Sequence, residues 1–349
     1  MFSNIQINNY RGVKNTTIEG LKQFNLFFGK NNCGKSSVLE SIFLVSGQSN
    51  PVLPVTVNNM RGFRNIEKET FALDFYEANP NNSIKIVADG DERREMRIDM
   101  IKSDSHGVAL GDLKTGKSDA AQNHYGLRTS FRIGNSEIMY KSELLVVGEG
   151  KENGKVGIDK RYKENLYSRY IPSYQLLADV AEKFAEIVKK KQEAHIIEAL
   201  RMIEPRLRDI QLVGHNIMVD VGFTQRLSIN VLGDGIRKVF GILLAMHECS
   251  NGVLIIDEMD NGLHFSVMQK LWMVIMYAAK QYNVQMFVST HSNDLLRGLV
   301  SWLQEDEAEL FRGLVSAYKL IRKENDEIVA LRYDYEGLAY NKEQEIEIR

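Results

Sequence analysis

Glycine, lysine and hydroxyl residues stand at a chemically informative spacing in residues 29–36, which read GKNNCGKS. The pattern G-x-x-x-x-G-K-[ST] is typical of loops that hold nucleotide phosphates. Its glycines let backbone N–H groups converge on a phosphate, while Lys35 offers an ammonium group and the Ser36 hydroxyl can ligate Mg²⁺. The residues expected to contact the nucleotide are Gly29, Asn31, Asn32, Cys33, Gly34, Lys35, Ser36 and Ser37.

The neighbouring segments are those that such a loop needs. Residues 24–28 (FNLFF) are mostly apolar and predict a buried strand before the loop, and residues 37–44 predict a helix after it. A helix that starts at the loop directs its N-terminus toward an anion. An ordinary glycine turn is the alternative, but the flanking strand and helix favour a nucleotide site.

A pair of carboxylates follows a second apolar run. Residues 251–256 read NGVLII, which is typical of a parallel strand buried on both faces, and Asp257 and Glu258 come directly after it. Ligands of open α/β sheets bind at the carboxyl ends of strands. Asp257 is therefore expected to hold Mg²⁺ through water, and Glu258 to orient and deprotonate the attacking water. The alternative is that the pair only caps the next helix.

A histidine ends the next apolar run. Residues 285–290 predict a buried strand that delivers His291 to the same sheet edge, where it could contact the γ-phosphate as part of a catalytic set with Glu258 and Lys35. A purely structural histidine is the alternative.

A second glycine-rich segment precedes a predicted helix that runs through Met246. It contains Gly233, Asp234 and Gly235, and such a helix N-terminus can bind phosphate. Because the chain already has its own phosphate loop, this segment is expected to serve the nucleotide of a neighbouring subunit. An ordinary helix cap remains the alternative.

Two basic features are less specific. Arg11 follows the first predicted strand and could reach the nucleotide from its turn, or could be a surface arginine. The run Lys189, Lys190 and Lys191 could contact DNA, or could be the solvated face of a helix.

Composition limits the class of protein. The 349 residues carry a net charge of −2, so no global basic field calls for nucleic acid, although the sequence permits a local patch. The two cysteines, Cys33 and Cys249, form no disulfide framework and favour a reducing, cytoplasmic setting. No secretory signal is visible, and the apolar segment 267–279 is too short to span a membrane.

The periodicity predicts an α/β fold with an insertion. An ATPase core is expected in residues 1–65 and 205–349, and residues 66–204 are expected to form an inserted β-rich and helical subdomain. Residues 47–65, 103–126 and 148–157 are rich in polar residues, glycine or proline and predict loops, and helical periodicity runs from about 173 to 205. The predicted additional strands cover residues 4–9, 16–18, 71–76, 83–87, 97–101, 127–132 and 142–147.

These motifs, taken together, resemble a known family. Residues 5–13 (IQINNYRGV), 29–37, 232–235 (LGDG), 256–264 (IDEMDNGLH) and 289–292 (STHS) occur in the order found in ABC-type ATPases of overcoming-lysogenization-defect (OLD) proteins and related phage-defence ATPases. The resemblance covers the N-terminal fifth and most of residues 205–300. It implies an ABC-type P-loop ATPase that uses ATP and Mg²⁺. It also implies head-to-head dimers in which Gly233, Asp234 and Gly235 take the signature role in trans.

The resemblance points to one further residue, Gln48, and this sequence departs from the family pattern in two places. In related ATPases a glutamine at the place of Gln48 senses the γ-phosphate and Mg²⁺, although Gln48 could equally be a loop glutamine without that role. The segment 232–235 differs from the Leu-Ser-Gly-Gly-Gln signature of transporters. Residues 292–349 are too short for the Toprim nuclease of full OLD proteins and contain no Asp-x-Asp, so this chain is not expected to cut DNA.

Three functions compete at this stage. The first is a regulatory ATPase in anti-phage defence that controls a separately encoded effector, a nuclease or toxin. The second is a DNA-binding ATPase of the repair or structural-maintenance type, which predicts salt-sensitive DNA affinity. A nucleotide-binding subunit of a transporter is a distant third.

Overall fold

The protein is described from a computed structural model that covers residues 1–63, 67–103, 124–147, 154–173, 179–260 and 267–344. Its contacts group the chain into two compact units, each assembled from separate segments. Unit 1 comprises Met1–Gly20, Asn31–Leu166 and Ile321–Ala330, and unit 2 comprises Leu21–Lys30, Tyr167–Leu320 and Leu331–Arg349. The predicted division into a core, residues 1–65 and 205–349, and an insertion, residues 66–204, stays a prediction.

The strands in chain order are β1 Phe2–Tyr10, β2 Val13–Glu19, β3 Phe24–Phe28, β4 Ile84–Gly90, β5 Arg94–Ser103, β6 His124–Ile133, β7 Tyr140–Val147, β8 Gly154–Gly157, β9 Ser168–Ile171, β10 Asp209–Val213, β11 Asn216–Asp220, β12 Leu227–Ser228, β13 Val253–Ile256, β14 Gln285–Ser289, β15 Val315–Arg322 and β16 Ile328–Tyr333. The α-helices are α1 Lys35–Ser46, α2 Leu53–Met60, α3 Lys68–Ala72, α4 Val180–Lys189, α5 Ala194–Arg201, α6 Asp234–Glu248, α7 Met268–Gln281, α8 Asn293–Gln304, α9 Glu309–Arg312 and α10 Tyr335–Glu343.

An antiparallel sheet of seven strands forms the frame of unit 1, in the order β2-β1-β4-β5-β6-β7-β8. The alternating residues of β1 explain its place, because Ile5 and Ile7 are buried while Gln6 between them is exposed. Helix α1 contacts β1, β4 and β5 of this sheet. The helix that follows the phosphate loop is thus packed on a rigid surface.

A second sheet has the order β16-β15-β3-β14-β13-β9, and its pairs from β15 to β9 are parallel. Every residue of β3, β13 and β14 is buried, as expected of parallel strands that are covered on both faces. Helices α6, α7 and α8 supply much of the apolar core of unit 2. A small sheet, β10-β11-β12, belongs to the same unit.

Two local predictions were wrong. Residues 71–76 do not form a strand: Phe71 and Phe75, four residues apart, are both buried at 1% exposure, whereas Leu73 between them is 46% exposed, which is helical rather than alternating spacing. The predicted loop 47–65 contains α2. Proline fits the first turn of a helix, and Pro54 occupies that place here.

The predicted helical stretch 173–205 forms two helices, α4 and α5. The helical conformation is interrupted between them, where Lys191 has a positive φ of 55°. Residues 174–178, most of the predicted loop 103–126 and residues 148–153 lie outside the described residues. Residues 154–157 of the predicted loop 148–157 form the strand β8, so the loop prediction was also wrong there. In the part of the chain that is described, no helix combines the length and hydropathy needed to cross a bilayer.

Candidate nucleotide site

The phosphate loop leaves the carboxyl end of β3 and leads into α1, as predicted. Three of its residues have positive φ angles: Gly29 at 141°, Asn32 at 61° and Gly34 at 99°. The φ of Gly34 favours glycine there, and an added Cβ would also lie 2.3 Å from Cδ1 of Ile328, whose side chain would have to move. The loop thus has the curled backbone that a phosphate cradle needs.

The start of α1 is suited to an anion. Among the described residues, no side chain caps this helix at Gly34, which lies at its N-terminus. Lys35 is only 5% exposed, and its Nζ lies 3.7 Å from Sγ of Cys33. Ser36 and Ser37 stand in the first turn of α1, where backbone N–H groups and the helix dipole favour negative charge. This donor set fits a nucleotide phosphate with its Mg²⁺.

The parallel register brings several strand ends to one sheet edge. Ile256 of β13 pairs with Val288 of β14, and Ser289 pairs with Phe27 of β3. The N–H group of Thr290 also donates to the carbonyl oxygen of Phe27 at 3.0 Å. The end of β3, where the phosphate loop begins, therefore lies at the same edge as the ends of β13 and β14.

The two carboxylates predicted from sequence follow β13 at this edge, and other side chains orient them. The Tyr170 hydroxyl donates to Oδ2 of Asp257 at 3.1 Å, and the Ser289 hydroxyl donates to Oδ1. Ser289 Oγ also accepts the N–H group of Glu258 at 2.8 Å. Glu258 has a φ of 51°, so this hydrogen bond fixes a strained residue. The Glu258 side chain is 42% exposed and available to a substrate.

The predicted histidine lies beside the second carboxylate. His291 Nε2 is 3.8 Å from Oε1 of Glu258, which is an ion-pair distance but too long for a hydrogen bond. Close by, the Thr290 hydroxyl donates to Oδ1 of Asp260 at 2.6 Å. Ser292 caps α8 and holds the chain direction after His291. Residues 261–264 of the motif lie outside the described residues.

Sequence reasoning missed three residues of this edge. Ser289 and Tyr170 orient the carboxylates, and Lys238 on α6 is buried near Asp260 and Glu258. Burial lowers the pKa of Lys238 to about 8, against the opposing effect of the two carboxylates. A serine at the end of a buried strand was visible in the motif STHS, but nothing local marked Tyr170 or Lys238.

The second glycine segment starts a helix, as predicted. Gly233 is the N-cap of α6, and an added Cβ there would meet nothing within 4 Å. Asp234 is 77% exposed in its side chain, and its Oδ1 accepts from Arg237 at 3.1 Å. Gly235 follows in the first turn. The segment is thus an open helix N-terminus of unit 2.

Arg11 lies in a buried ionic cluster of unit 1. Its side chain is 10% exposed, its Nη2 donates to Asn58 at 2.7 Å and to Asp74 at 3.2 Å, and its Nε lies 3.4 Å from Glu40. Arg61 also donates to Glu40 at 2.6 Å. Burial outweighs the effect of the Arg11 guanidinium and raises the pKa of Asp74 to about 6. Arg11 is thus engaged with protein carboxylates, and its predicted contact with a nucleotide stays a prediction.

Gln48 is a fully buried side chain of unit 1. Its Nε2 donates to the carbonyl oxygen of Arg132 at 3.3 Å, and its buried Oε1 accepts no hydrogen bond from the described residues. Its predicted role at Mg²⁺ therefore also stays a prediction.

Comparison with known proteins places the chain in a family. Residues 91–297, more than half of the chain, match the family described as "AAA domain, putative AbiEii toxin, Type IV TA system". The chain belongs to this AAA family. It is also 27% identical to a Helicobacter pylori protein named ATP/GTP phosphatase, in an alignment that covers 99% of both chains. The prediction of an ATPase is confirmed.

A solved structure supports the fold. A structural-maintenance (SMC) head, determined with the C-terminal winged-helix domain of ScpA, superposes with a TM-score of 0.52 at 10% identity, covering 96% of this chain and 98% of that one. A shorter relative, an uncharacterised protein of Methanocaldococcus jannaschii, is 46% identical over 44 residues, which is 13% of this chain and 20% of that protein. The predicted α/β P-loop ATPase fold is therefore confirmed.

Proposed function

We propose that this ATPase is a regulatory subunit of the OLD-like group, which uses its nucleotide state to control a separately encoded effector in bacterial anti-phage defence. The observation that carries the proposal is the shared sheet edge, where the start of the phosphate loop follows β3 and the pair Asp257 and Glu258 follows β13, on either side of the parallel strand β14. The family description, which names a toxin of a toxin–antitoxin system, supports a role alongside a second protein. The cytoplasm is the proposed location.

Each site residue has a proposed role toward ATP and Mg²⁺. The phosphate loop and Ser37 bind the phosphates, with Lys35 on the β- and γ-phosphates and Arg11 as a further contact. The Ser36 hydroxyl and, through water, Asp257 would hold Mg²⁺, with Gln48 as the sensor of metal and γ-phosphate. The metal would supply positive charge that neutralises the phosphates. Glu258 takes the proton of the attacking water, and His291 contacts the γ-phosphate.

Glu258 has the geometry that a general base needs. Its backbone is tied to Ser289, its carboxylate is exposed, and His291 stands within ion-pair distance of it. A base must be held in one orientation and still reach water. The contacts with Ser289 and His291 favour one orientation of Glu258, and the exposure of its carboxylate lets it reach water.

We also propose that ATP is held between two copies of the chain, with Gly233, Asp234 and Gly235 of one copy acting on the nucleotide of the other. The open space at Gly233 and the exposed Asp234 side chain support this, because another molecule can approach the start of α6. ATP binding would then set the dimer geometry, and hydrolysis would release it.

The effector is proposed to bind the 66–204 region. That region carries several exposed apolar side chains, which are common at protein interfaces: Ile138, Met139, Val156 and Ile158.

The test compares wild type with Glu258→Gln, using Glu336→Gln as a matched control because Glu336 is exposed on α10. Glu258→Gln is expected to bind ATP, lose hydrolysis by at least about 100-fold and accumulate as a dimer with ATP and Mg²⁺. The control should behave as wild type. Normal hydrolysis with an unchanged mass would refute both the role of Glu258 and the ATP-bound dimer.

The effector is tested by purifying the protein from its native operon. A nuclease or toxin that co-purifies with wild type, and whose activity changes with Glu258→Gln, supports the regulatory role. A protein that purifies alone, with no effect of its gene neighbours on phage resistance, contradicts it.

A DNA-binding ATPase is the second candidate. It is favoured by a cavity of about 890 Å³ in unit 2 whose lining includes Lys183, Lys189, Lys190 and His247. The lining also contains carboxylates, and Glu186 pairs with Lys189 at 2.6 Å, which weakens the positive field. A labelled duplex that binds at 50 mM but much less at 200 mM salt, and not to a Lys189→Ala/Lys190→Ala variant, would favour this function over the first.

A further inference from the structure

An arginine distant in sequence contacts the backbone of the phosphate loop. Arg322 ends β15, and its Nε donates to the carbonyl oxygen of Asn32 at 2.9 Å. Its Nη1 donates to the carbonyl oxygen of Gly12, in the turn between β1 and β2, at 2.6 Å. One planar guanidinium thus joins the loop to the turn that carries Arg11, all within unit 1.

A second layer holds the guanidinium in place. Arg322 Nη1 also donates to Oδ1 of Asp326 at 3.1 Å, and Oδ2 of Asp326 accepts from the Tyr76 hydroxyl at 3.0 Å. The hydrogen bonds from Arg322 and Tyr76 lower the pKa of Asp326, so its carboxylate stays charged at neutral pH. The arginine is therefore fixed by a charged partner that is itself fixed.

The contacted residue is one that needs support. Asn32 has a φ of 61°, in the left-handed region that few residues with a side chain adopt, although asparagine does so more readily than most. The hydrogen bond from Arg322 is made to the carbonyl group of this residue. Ile328, from the same segment Ile321–Ala330, packs against Gly34 two residues further along the loop. The segment Ile321–Ala330 thus touches the loop at two of its three residues with positive φ, Asn32 and Gly34, both in unit 1.

We propose that Arg322 is a positioning residue of the ATPase, which keeps the phosphate loop in its binding conformation before ATP arrives. The inference rests on the proposed role of residues 29–36 in binding the ATP phosphates. Without the guanidinium, the free loop populates other conformations, and the apparent affinity for ATP falls by the fraction of molecules that remain competent. The residue acts through the loop backbone and has no part in the chemical step.

The magnitude follows from the contacts. Hydrogen bonds from a charged donor contribute more than those from a neutral donor, so losing the bond to Asn32 should raise the KM for ATP about tenfold, which corresponds to about 1.4 kcal/mol. The loop contacts phosphates in both ground and transition states, so kcat should change less than about threefold. A merely structural arginine would instead reduce the active fraction, and hence kcat, without changing KM.

The experiment measures KM and kcat for Arg322→Ala, Arg322→Lys and Lys323→Ala. Lys323 is the matched control, because it is the next residue and its side chain makes a long, exposed ion pair with Glu327 at 3.9 Å. The single ammonium group of Arg322→Lys can reach the carbonyl group of Asn32 or that of Gly12 but not both. The KM of this variant should therefore lie between those of wild type and Arg322→Ala. Lys323→Ala should match wild type.

A second measurement keeps the inference testable if Arg322→Ala does not fold. Tyr76→Phe removes only the hydroxyl that holds Asp326, and should raise KM about two- to threefold. Amide hydrogen exchange of residues 29–37, measured without nucleotide, should be faster in the variants of Arg322 and Tyr76 than in Lys323→Ala.

The outcomes separate this inference from the proposed function. If Lys35→Ala hydrolyses ATP as wild type does, the assignment of the phosphate loop fails, whatever Arg322 does. If Lys35→Ala is inactive while KM and amide exchange are unchanged in Arg322→Ala, the positioning role is overturned and the assignment of the loop stands.

Discussion

Ser289→Ala tests whether one hydroxyl orients both carboxylates of the candidate site. The change removes the donor to Asp257 and the acceptor for the N–H group of Glu258. Asp257 keeps the hydrogen bond from Tyr170. The N–H group of Glu258 loses its partner, which costs about 1–3 kcal/mol, at a residue whose φ of 51° is already strained. We expect kcat to fall about 10- to 100-fold, or about 1.4–2.8 kcal/mol, because a base that turns freely is rarely in position.

The assay is steady-state phosphate release at saturating ATP, with single-turnover measurements that separate the chemical step from product release. KM for ATP should stay within about threefold of wild type, because Ser289 belongs to neither the phosphate loop nor α1. Ser316→Ala is the control: Ser316 is also a fully buried serine, on β15 of the same sheet, and its hydroxyl oxygen accepts a hydrogen bond from Nε of Arg332 at 3.2 Å.

The reasoning is refuted if kcat of Ser289→Ala lies within twofold of wild type while its melting temperature falls no more than that of Ser316→Ala. Glu258 would then be oriented by something other than this hydroxyl. A fall in kcat that Ser316→Ala reproduces would mean that loss of a buried hydrogen bond in the sheet, rather than orientation, causes the effect.

Three further predictions rest on single residues. Burial raises the pKa of Asp74 to about 6 from an ordinary 3.8, so the folded protein binds this proton more tightly than the unfolded chain does. The stabilisation that this proton gives is complete below about pH 4 and is lost as the pH rises through about 6. In urea unfolding, wild type should therefore lose about 1.4 kcal/mol of stability relative to Asp74→Asn between about pH 5 and pH 7.5. Lys238 should have the opposite effect, because burial lowers its pKa to about 8 and the unfolded chain therefore binds more protons. The free energy of unfolding of wild type should rise by about 2 kcal/mol relative to that of Lys238→Met between about pH 7.5 and pH 9.5. A difference that does not change with pH would contradict the burial of Lys238. Gly34→Ala, at a φ of 99° and with its Cβ 2.3 Å from Ile328, should bind a fluorescent ATP analogue at least about tenfold more weakly, from strain of about 1–3 kcal/mol; equal binding would refute the need for glycine.

Local periodicity predicted the regular elements and failed where burial was not periodic along the chain. The strands β4, β5 and β6 alternate and were found, whereas β7 was predicted from a short apolar run, residues 142–147, that does not alternate. Strand β9 was missed because its four residues, SRYI, carry no pattern of their own; they form a strand because β13 lies beside them. The two helices α4 and α5 merged into one prediction because their apolar spacing continues across the break at Lys191.

Residue type and local pattern were enough to propose the parts of the candidate site whose chemistry is local. The glycines and the Lys-Ser pair of the phosphate loop, Asp257 with Glu258, and His291 each follow an apolar strand directly, so residue type and position along one strand sufficed to find them. For the same reason the class of protein, an α/β P-loop ATPase, was accessible before any coordinates.

Only the tertiary structure decided which side chains support that chemistry. Ser289 is 32 residues from Asp257, Tyr170 is 87 residues from it, and Arg322 is 290 residues from Asn32. It also placed Arg11 among buried carboxylates, where sequence left it between a nucleotide contact and a surface residue. Hydrogen bonds act over about 3 Å, so their partners are fixed by how strands pair and loops meet, which no local pattern encodes.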